Sequence, residues 1–221
     1  MPASEMNMET ARGMQEAPPR TEEKPEWWAS PAVIGLMGFG LTTIIAGISN
    51  LPKPYVNGFG ANWVVFGMAI FFGGLVQLIA GAIGLRKGNL FAGSAFMGYG
   101  AFWLAFFFML TFSAAAYSGL PANTASWYGI SAFAFVWTLF TLTFLINSMK
   151  HGWGIFFVFL FLFISFILLT VKFWMFGASD VVSTAQNWVT GGMIILTGLT
   201  AWLVATADLT NWNYGRRVIP V

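Results

Sequence analysis

The chain has 221 residues, 57% of them hydrophobic and 8% charged, with a net charge of +2 at neutral pH, whereas a soluble domain carries roughly 25% charged residues. Cysteine is absent and histidine occurs once, as His151, which excludes disulfides, thiolate metal sites and histidine clusters. The basic residues sit at the ends of apolar segments rather than in a patch, so the charge reflects membrane topology and nucleic acid is excluded as a partner.

Residues 1–29 read as a disordered, cytoplasmic acidic and proline-rich tail. Six of the eight acidic residues, Glu5, Glu9, Glu16, Glu22, Glu23 and Glu26, fall there with Pro2, Pro18, Pro19 and Pro25, and so little apolar surface cannot offset the entropy of ordering. The apolar run that follows starts too late and is too long for a signal peptide. Trp27 and Trp28 stand where interfacial aromatics belong.

Residues 30–207 then divide into six apolar spans, at about 30–49, 61–85, 91–117, 126–149, 153–176 and 186–207. Each is close to the roughly 17–25 residues that cross a bilayer as a helix. The first opens with Ser30 as N-cap and Pro31 at the first helical position. Gly35, Gly38, Gly40 and Gly47 mark it as a packed, central helix. Phe39, between Gly38 and Gly40, projects a ring from a bare surface and is a candidate gate. In the second span Gly67, Gly74 and Gly81 recur every seven residues, predicting one face packed on another helix. After the basic turn Arg86-Lys87-Gly88-Asn89, the third span repeats the spacing with Gly93 and Gly100 and sets the Tyr99 hydroxyl at a close-packed site. The fifth is rich in rings, among them Phe156, Phe157, Phe159, Phe161, Phe163 and Phe166, a surface expected to face lipid. Lys172 near its end is expected to snorkel to the headgroups. The sixth spaces Gly191, Gly198 and Ala205 by sevens, Asp208 closes it, and 208–221 form a cytoplasmic tail containing Arg216 and Arg217.

Six spans put both termini on one side. Eight of the ten basic residues, all but Lys53 and Lys172, fall on that side, so the positive-inside rule makes it the cytoplasm. The fold class is an all-α integral membrane protein with six transmembrane helices per protomer, resident in the cell membrane.

Between Trp27 and Ser179 there is no aspartate or glutamate. Proton relays, paired-carboxylate hydrolysis and carboxylate-bound metals all need one. No enzyme, metal or cofactor is expected. The polar groups within the spans are neutral, and Thr42, Thr43 and Gln77 are the candidate pathway groups, able to hydrogen-bond a small solute without trapping it. Intramembrane hydroxyls also bond back to their own helix, and Gln77 reads equally as helix glue.

The run Ala29-Ser30-Pro31-Ala32-Val33-Ile34-Gly35-Leu36-Met37-Gly38-Phe39-Gly40-Leu41-Thr42-Thr43 resembles the N-terminal signature of the acetate uptake transporter family, the succinate–acetate permeases. Gly73 to Leu104, with its Lys-Gly-Asn turn and Tyr-Gly-x-Phe-Trp-Leu run, is similar to the second and third helices of that family, and Tyr214-Gly215-Arg216-Arg217-Val218-Ile219-Pro220 to its C-terminal run. The signature usually begins Asn-Pro-x-Pro, where this chain has Ser30-Pro31-Ala32-Val33. The resemblance implies a six-helix protomer assembled as a homo-hexamer in the lipid bilayer, each protomer with a narrow path for acetate or a related small carboxylate, in some members succinate. It implies a constriction of Phe39, Tyr99 and Leu162. On this reading Tyr99 and neighbouring polar groups donate hydrogen bonds to the carboxylate, helped by the positive end of the first helix. Two alternatives stand beside it: a channel for ammonia or another small neutral solute, and a non-transporting membrane assembly protein whose glycines serve packing alone.

Overall fold

The computed structural model describes residues 29–52, 61–116, 125–179 and 183–221. The expected disordered tail up to residue 28, with Trp27 and Trp28, the stretch 53–60 between the first two expected spans, and the end of the third expected span with the stretch after it, 117–124, lie outside them. The helical unit spans Pro31–Val221, and its described residues contain no strand.

Six helices follow in order. They are α1 (Ala32–Ser49), α2 (three continuous segments, Ala61–Ile70, Phe71–Val76 and Gln77–Arg86), α3 (Leu90–Ala116), α4 (Ala125–Ser148), α5 (Trp153–Ser179) and α6 (Thr184–Tyr214). All six are long and apolar enough to cross a membrane. The start of α1 differs by one residue from the expected cap: Pro31 is the N-cap, with its carbonyl accepting the Gly35 N–H at 3.0 Å and no side chain capping. Proline serves there because its fixed φ suits the turn and it has no N–H to satisfy. Between α2 and α3 the chain reverses at Gly88, whose φ of +79° is a conformation that costs a residue with a Cβ.

Three helix pairs dominate the packing: α1 with α6, α2 with α3, and α4 with α5. Glycines explain the first two. On α1 and α6, which run antiparallel, a Cβ on Gly40 would lie 2.8 Å from the Gly198 carbonyl oxygen, and one on Gly47 would lie 2.9 Å from that of Gly191. On α2 and α3 a Cβ at Gly81 would sit 2.9 Å from the Gly93 oxygen, and one at Gly100 3.0 Å from that of Gly74. Both seams are backbone against backbone, which small residues alone permit. Gly67 takes no part: a Cβ there would meet nothing within 4 Å. Past it the helix takes a π-helical turn, Phe71–Val76, which contains Gly74. That wider turn adds a residue to the register, so a seven-residue spacing no longer holds one face. α1 is nevertheless central, packing on α2, α3 and α6.

Two further expectations change. Phe159 and Phe166 of α5 do not face lipid; they are 6% and 3% exposed and stack into an aromatic core with Phe102, Phe144 and Tyr99. And α6 does not stop at Asp208 but continues to Tyr214, because the stop is Gly215, in the left-handed conformation with φ 60° that commonly ends helices. Beyond it Asn211 gathers the chain end, accepting the Val218 and Ile219 N–H groups at 2.6 and 2.9 Å and donating to the Ile219 carbonyl at 2.9 Å.

Candidate functional site

α1, α3 and α5 all begin on the side of the molecule where the C-terminus lies, and their first turns surround one cavity of about 180 Å³. At roughly 30 Å³ per liquid water, that holds a small organic solute. Leu36 and Phe39 of α1, Phe96 and Tyr99 of α3, and Val158, Phe159 and Leu162 of α5 make its wall apolar. Three helix N-termini therefore point their positive ends towards one apolar mouth, an arrangement that favours an anion. Asn89 holds the start of α3 by accepting the Ala92 N–H at 2.9 Å.

The constriction residues implied by the resemblance all line this cavity. Phe39, Tyr99 and Leu162 are 4%, 3% and 5% exposed, and the Phe39 and Tyr99 rings lie 5.5 Å apart, tilted by 54°. The Tyr99 hydroxyl is not turned to the cavity as a free donor. It donates to Thr141 Oγ1 on α4 at 2.9 Å, and Thr141 donates in turn to the Trp137 carbonyl at 2.7 Å. The proton expected to meet a carboxylate is thus committed to helix packing. What Tyr99 contributes to the wall is its ring, wedged among Phe39, Phe140 and Phe159.

The polar candidates separate in the same way. Thr43 donates to the Phe39 carbonyl at 2.7 Å, as do Thr138, Thr141, Thr170, Thr197 and Thr200 to the residue four before each. Such hydroxyls are spent on their own helix. Thr42 and Gln77 are not. They are 0% and 1% exposed, and neither the Thr42 hydroxyl nor either end of the Gln77 amide has a hydrogen-bond partner. The indole N–H of Trp103, a residue the sequence reading passed over, is equally buried and unpartnered. These groups cluster about Gly73. A Cβ there would lie 2.8 Å from Thr42 Cγ2, 2.9 Å from its hydroxyl and 2.8 Å from Trp103 Cδ1, and Gln77 follows one turn later and lines the cavity. A buried polar group without a partner costs about 1–3 kcal/mol. Of the three, Gln77 lines the cavity, and Thr42 and Trp103 lie against Gly73 one turn before it.

Two titratable groups line the mouth. Asp208 faces the cavity from within α6 instead of closing it, and His151 stacks on Phe91 with ring centroids 4.0 Å apart. Local sequence around either gives no sign of this, because the cavity forms only where five helices meet. Among the described residues no three metal-ligating side chains cluster.

The sequence pattern of the GPR1/FUN34/yaaH family matches residues 13–220. The chain is 32% identical to the succinate-acetate/proton symporter SatP of Escherichia coli, over 87% of this chain and 95% of that one. It is also 32% identical to ammonia transport outward protein 2 of Saccharomyces cerevisiae, over 83% of this chain and 62% of the yeast protein. Among solved structures, that of the bacterial acetate channel SatP superposes with a TM-score of 0.75 at 30% identity, covering 88% of this chain and 99% of that one.

Proposed function

The chain belongs to the GPR1/FUN34/yaaH family, and from that premise we propose that this multi-pass membrane protein carries acetate and similar short monocarboxylates along a narrow path through each protomer. The solute enters at the cavity, where three helix N-termini attract its charge. It passes its methyl end between the Phe39 and Tyr99 rings and Leu162, and its carboxylate reaches the donors of Thr42, Gln77 and Trp103. The observation that supports this most directly is that set of buried, unpartnered donors around Gly73. Anionic oxygen accepts from all three, and hydrogen bonds to charged groups contribute about 1.5–3 kcal/mol each. The work is passage rather than catalysis: beyond the mouth, the constriction and the donors around Gly73 offer rings, a hydroxyl, an indole and an amide, not a nucleophile beside a base.

Uptake of labelled acetate into proteoliposomes tests the reading. Saturable flux that unlabelled acetate competes away is expected, and absence of flux from folded protein would overturn it. A path for ammonia is the second reading, favoured by Asp208 in the mouth, since a carboxylate there attracts ammonium. Competition separates them: excess ammonium displaces labelled acetate only if both use the path.

We further propose that both termini face the cytoplasm of the cell membrane, from the bias of basic residues to that side, and that protomers assemble as a homo-oligomer, a hexamer by the family resemblance.

A further inference from the structure

Lys172 does not snorkel to lipid. It is half-buried on α5 and its ammonium donates to Asn50 Oδ1, just past the end of α1, at 2.8 Å. Asn50 is itself held, donating to the Ala46 carbonyl at 2.9 Å. The helical register shows where this pair stands. On α1 the face that carries Phe39 continues through Thr43 and Ala46 to Asn50, at intervals of three and four residues. On α5 the face that carries Leu162 continues through Ser165 and Leu169 to Lys172 in the same way. Thr43, Ala46 and Ser165 are buried. At 1.5 Å per residue, both faces run about 15 Å beyond the constriction, away from the cavity, and converge on the Lys172–Asn50 hydrogen bond. A second observation falls at this depth. Thr190 of α6 is 0% exposed with no partner for its hydroxyl, and a Cβ on its neighbour Gly191 would lie 3.2 Å from the Leu51 nitrogen. Among the described residues Lys172 makes no ion pair, so its charge is answered only by one amide oxygen.

We propose that Lys172, with Thr190 beside the same end of α1, forms an anion site for small carboxylates at the far end of the path. It rests on the transport reading above and adds to it a determinant of charge selectivity. The ammonium supplies attraction that the apolar constriction cannot, Asn50 fixes its direction, and the Thr190 hydroxyl supplies a second donor.

Because the chain has no cysteine, Lys172→Cys gives a single reactive position whose charge can be chosen after folding. Proteoliposomes bearing this variant are assayed for labelled acetate uptake before and after treatment with an aminoethyl or a sulfonatoethyl methanethiosulfonate, with Lys172→Arg alongside. The variant is expected to raise the half-saturating acetate concentration several-fold, the aminoethyl adduct to restore it, the sulfonatoethyl adduct to raise it further, and Lys172→Arg to stay near wild type. Equal effects of the two reagents, or no reaction at the position, would overturn the site while wild-type flux left the transport reading standing. Absence of flux in the wild type would overturn the transport reading and this site together.

Discussion

At the scale of single residues, the two sides of the constriction use polar groups in opposite ways. Tyr99 spends its proton on Thr141, so its contribution to the path is a ring. Tyr99→Phe is therefore expected to cost about 1 kcal/mol of stability, the worth of one hydrogen bond, and to leave acetate flux within about twofold. Thermal unfolding in detergent and liposome flux measure the two effects, and a collapse of flux in that variant would return the hydroxyl to the path. Gln77 is the reverse case. Its amide has no partner to lose, so Gln77→Leu is expected to hold or raise the unfolding temperature while reducing acetate flux about 10-fold or more, the equivalent of 1.4 kcal/mol or more. An amide that served as helix glue would lower both. Phe39→Ala, by removing the ring that faces Tyr99 at 5.5 Å, is expected to admit succinate, read as competition with acetate uptake. Phe39 and Tyr99 stood out in the sequence because glycines flank each of them. Leu162 did not, since residues 155–164 of α5 are all apolar and only the resemblance singled it out. Trp103, His151 and Asp208 became legible only where separate helices meet.

At the scale of elements, glycine spacing carried most of the fold. Gly40 with Gly47, and Gly191 with Gly198, lie seven apart because antiparallel helices touch every second turn, so the spacing announces a seam before any partner is known. Gly198→Val is expected to part α1 from α6, since its first added carbon would already lie 2.6 Å from the Gly40 oxygen. The cost is about 3 kcal/mol or more, at the upper end for overpacking because backbone stands opposite. Gly67→Ala is expected to add about 0.5–1 kcal/mol by improving helix propensity, as nothing stands near that position. Thermal unfolding of the pair checks this, and equal destabilisation would place Gly67 in a seam after all. The π-helical turn was invisible in Phe-Phe-Gly-Gly-Leu-Val, which has neither proline nor charge to mark it. It falls at a close tertiary approach: the Phe72 carbonyl oxygen lies 2.6 Å from where a Cβ on Gly38 of α1 would stand. The end of α6 was misread for another reason. A lone charge in a long helix resembles a membrane boundary, but Asp208 borders a cavity and Gly215 is the terminator.

At the scale of the whole molecule, the six-span architecture followed from hydropathy alone, while its orientation rests on ten basic residues. Single cysteines at Lys150 and Thr184, both exposed and at opposite ends of the bundle, test the orientation directly. An impermeant maleimide added to intact cells is expected to label Thr184→Cys and to reach Lys150→Cys only after lysis; the reverse pattern would invert the protein. The placement of the two intramembrane charges has an electrical consequence. Asp208 borders the cavity mouth, where it offsets the attraction of the three helix N-termini, and Lys172 stands about 15 Å beyond the constriction towards the other end, so an acetate anion is drawn more strongly from the Lys172 end. Driving one elementary charge through 100 mV is worth about 2.3 kcal/mol, so an uneven placement of fixed charge along the path shows in the current. The path should behave as a diode: across a planar bilayer, acetate current that enters at Lys172 exceeds the current driven the other way by an equal voltage, and Lys172→Gln straightens the curve.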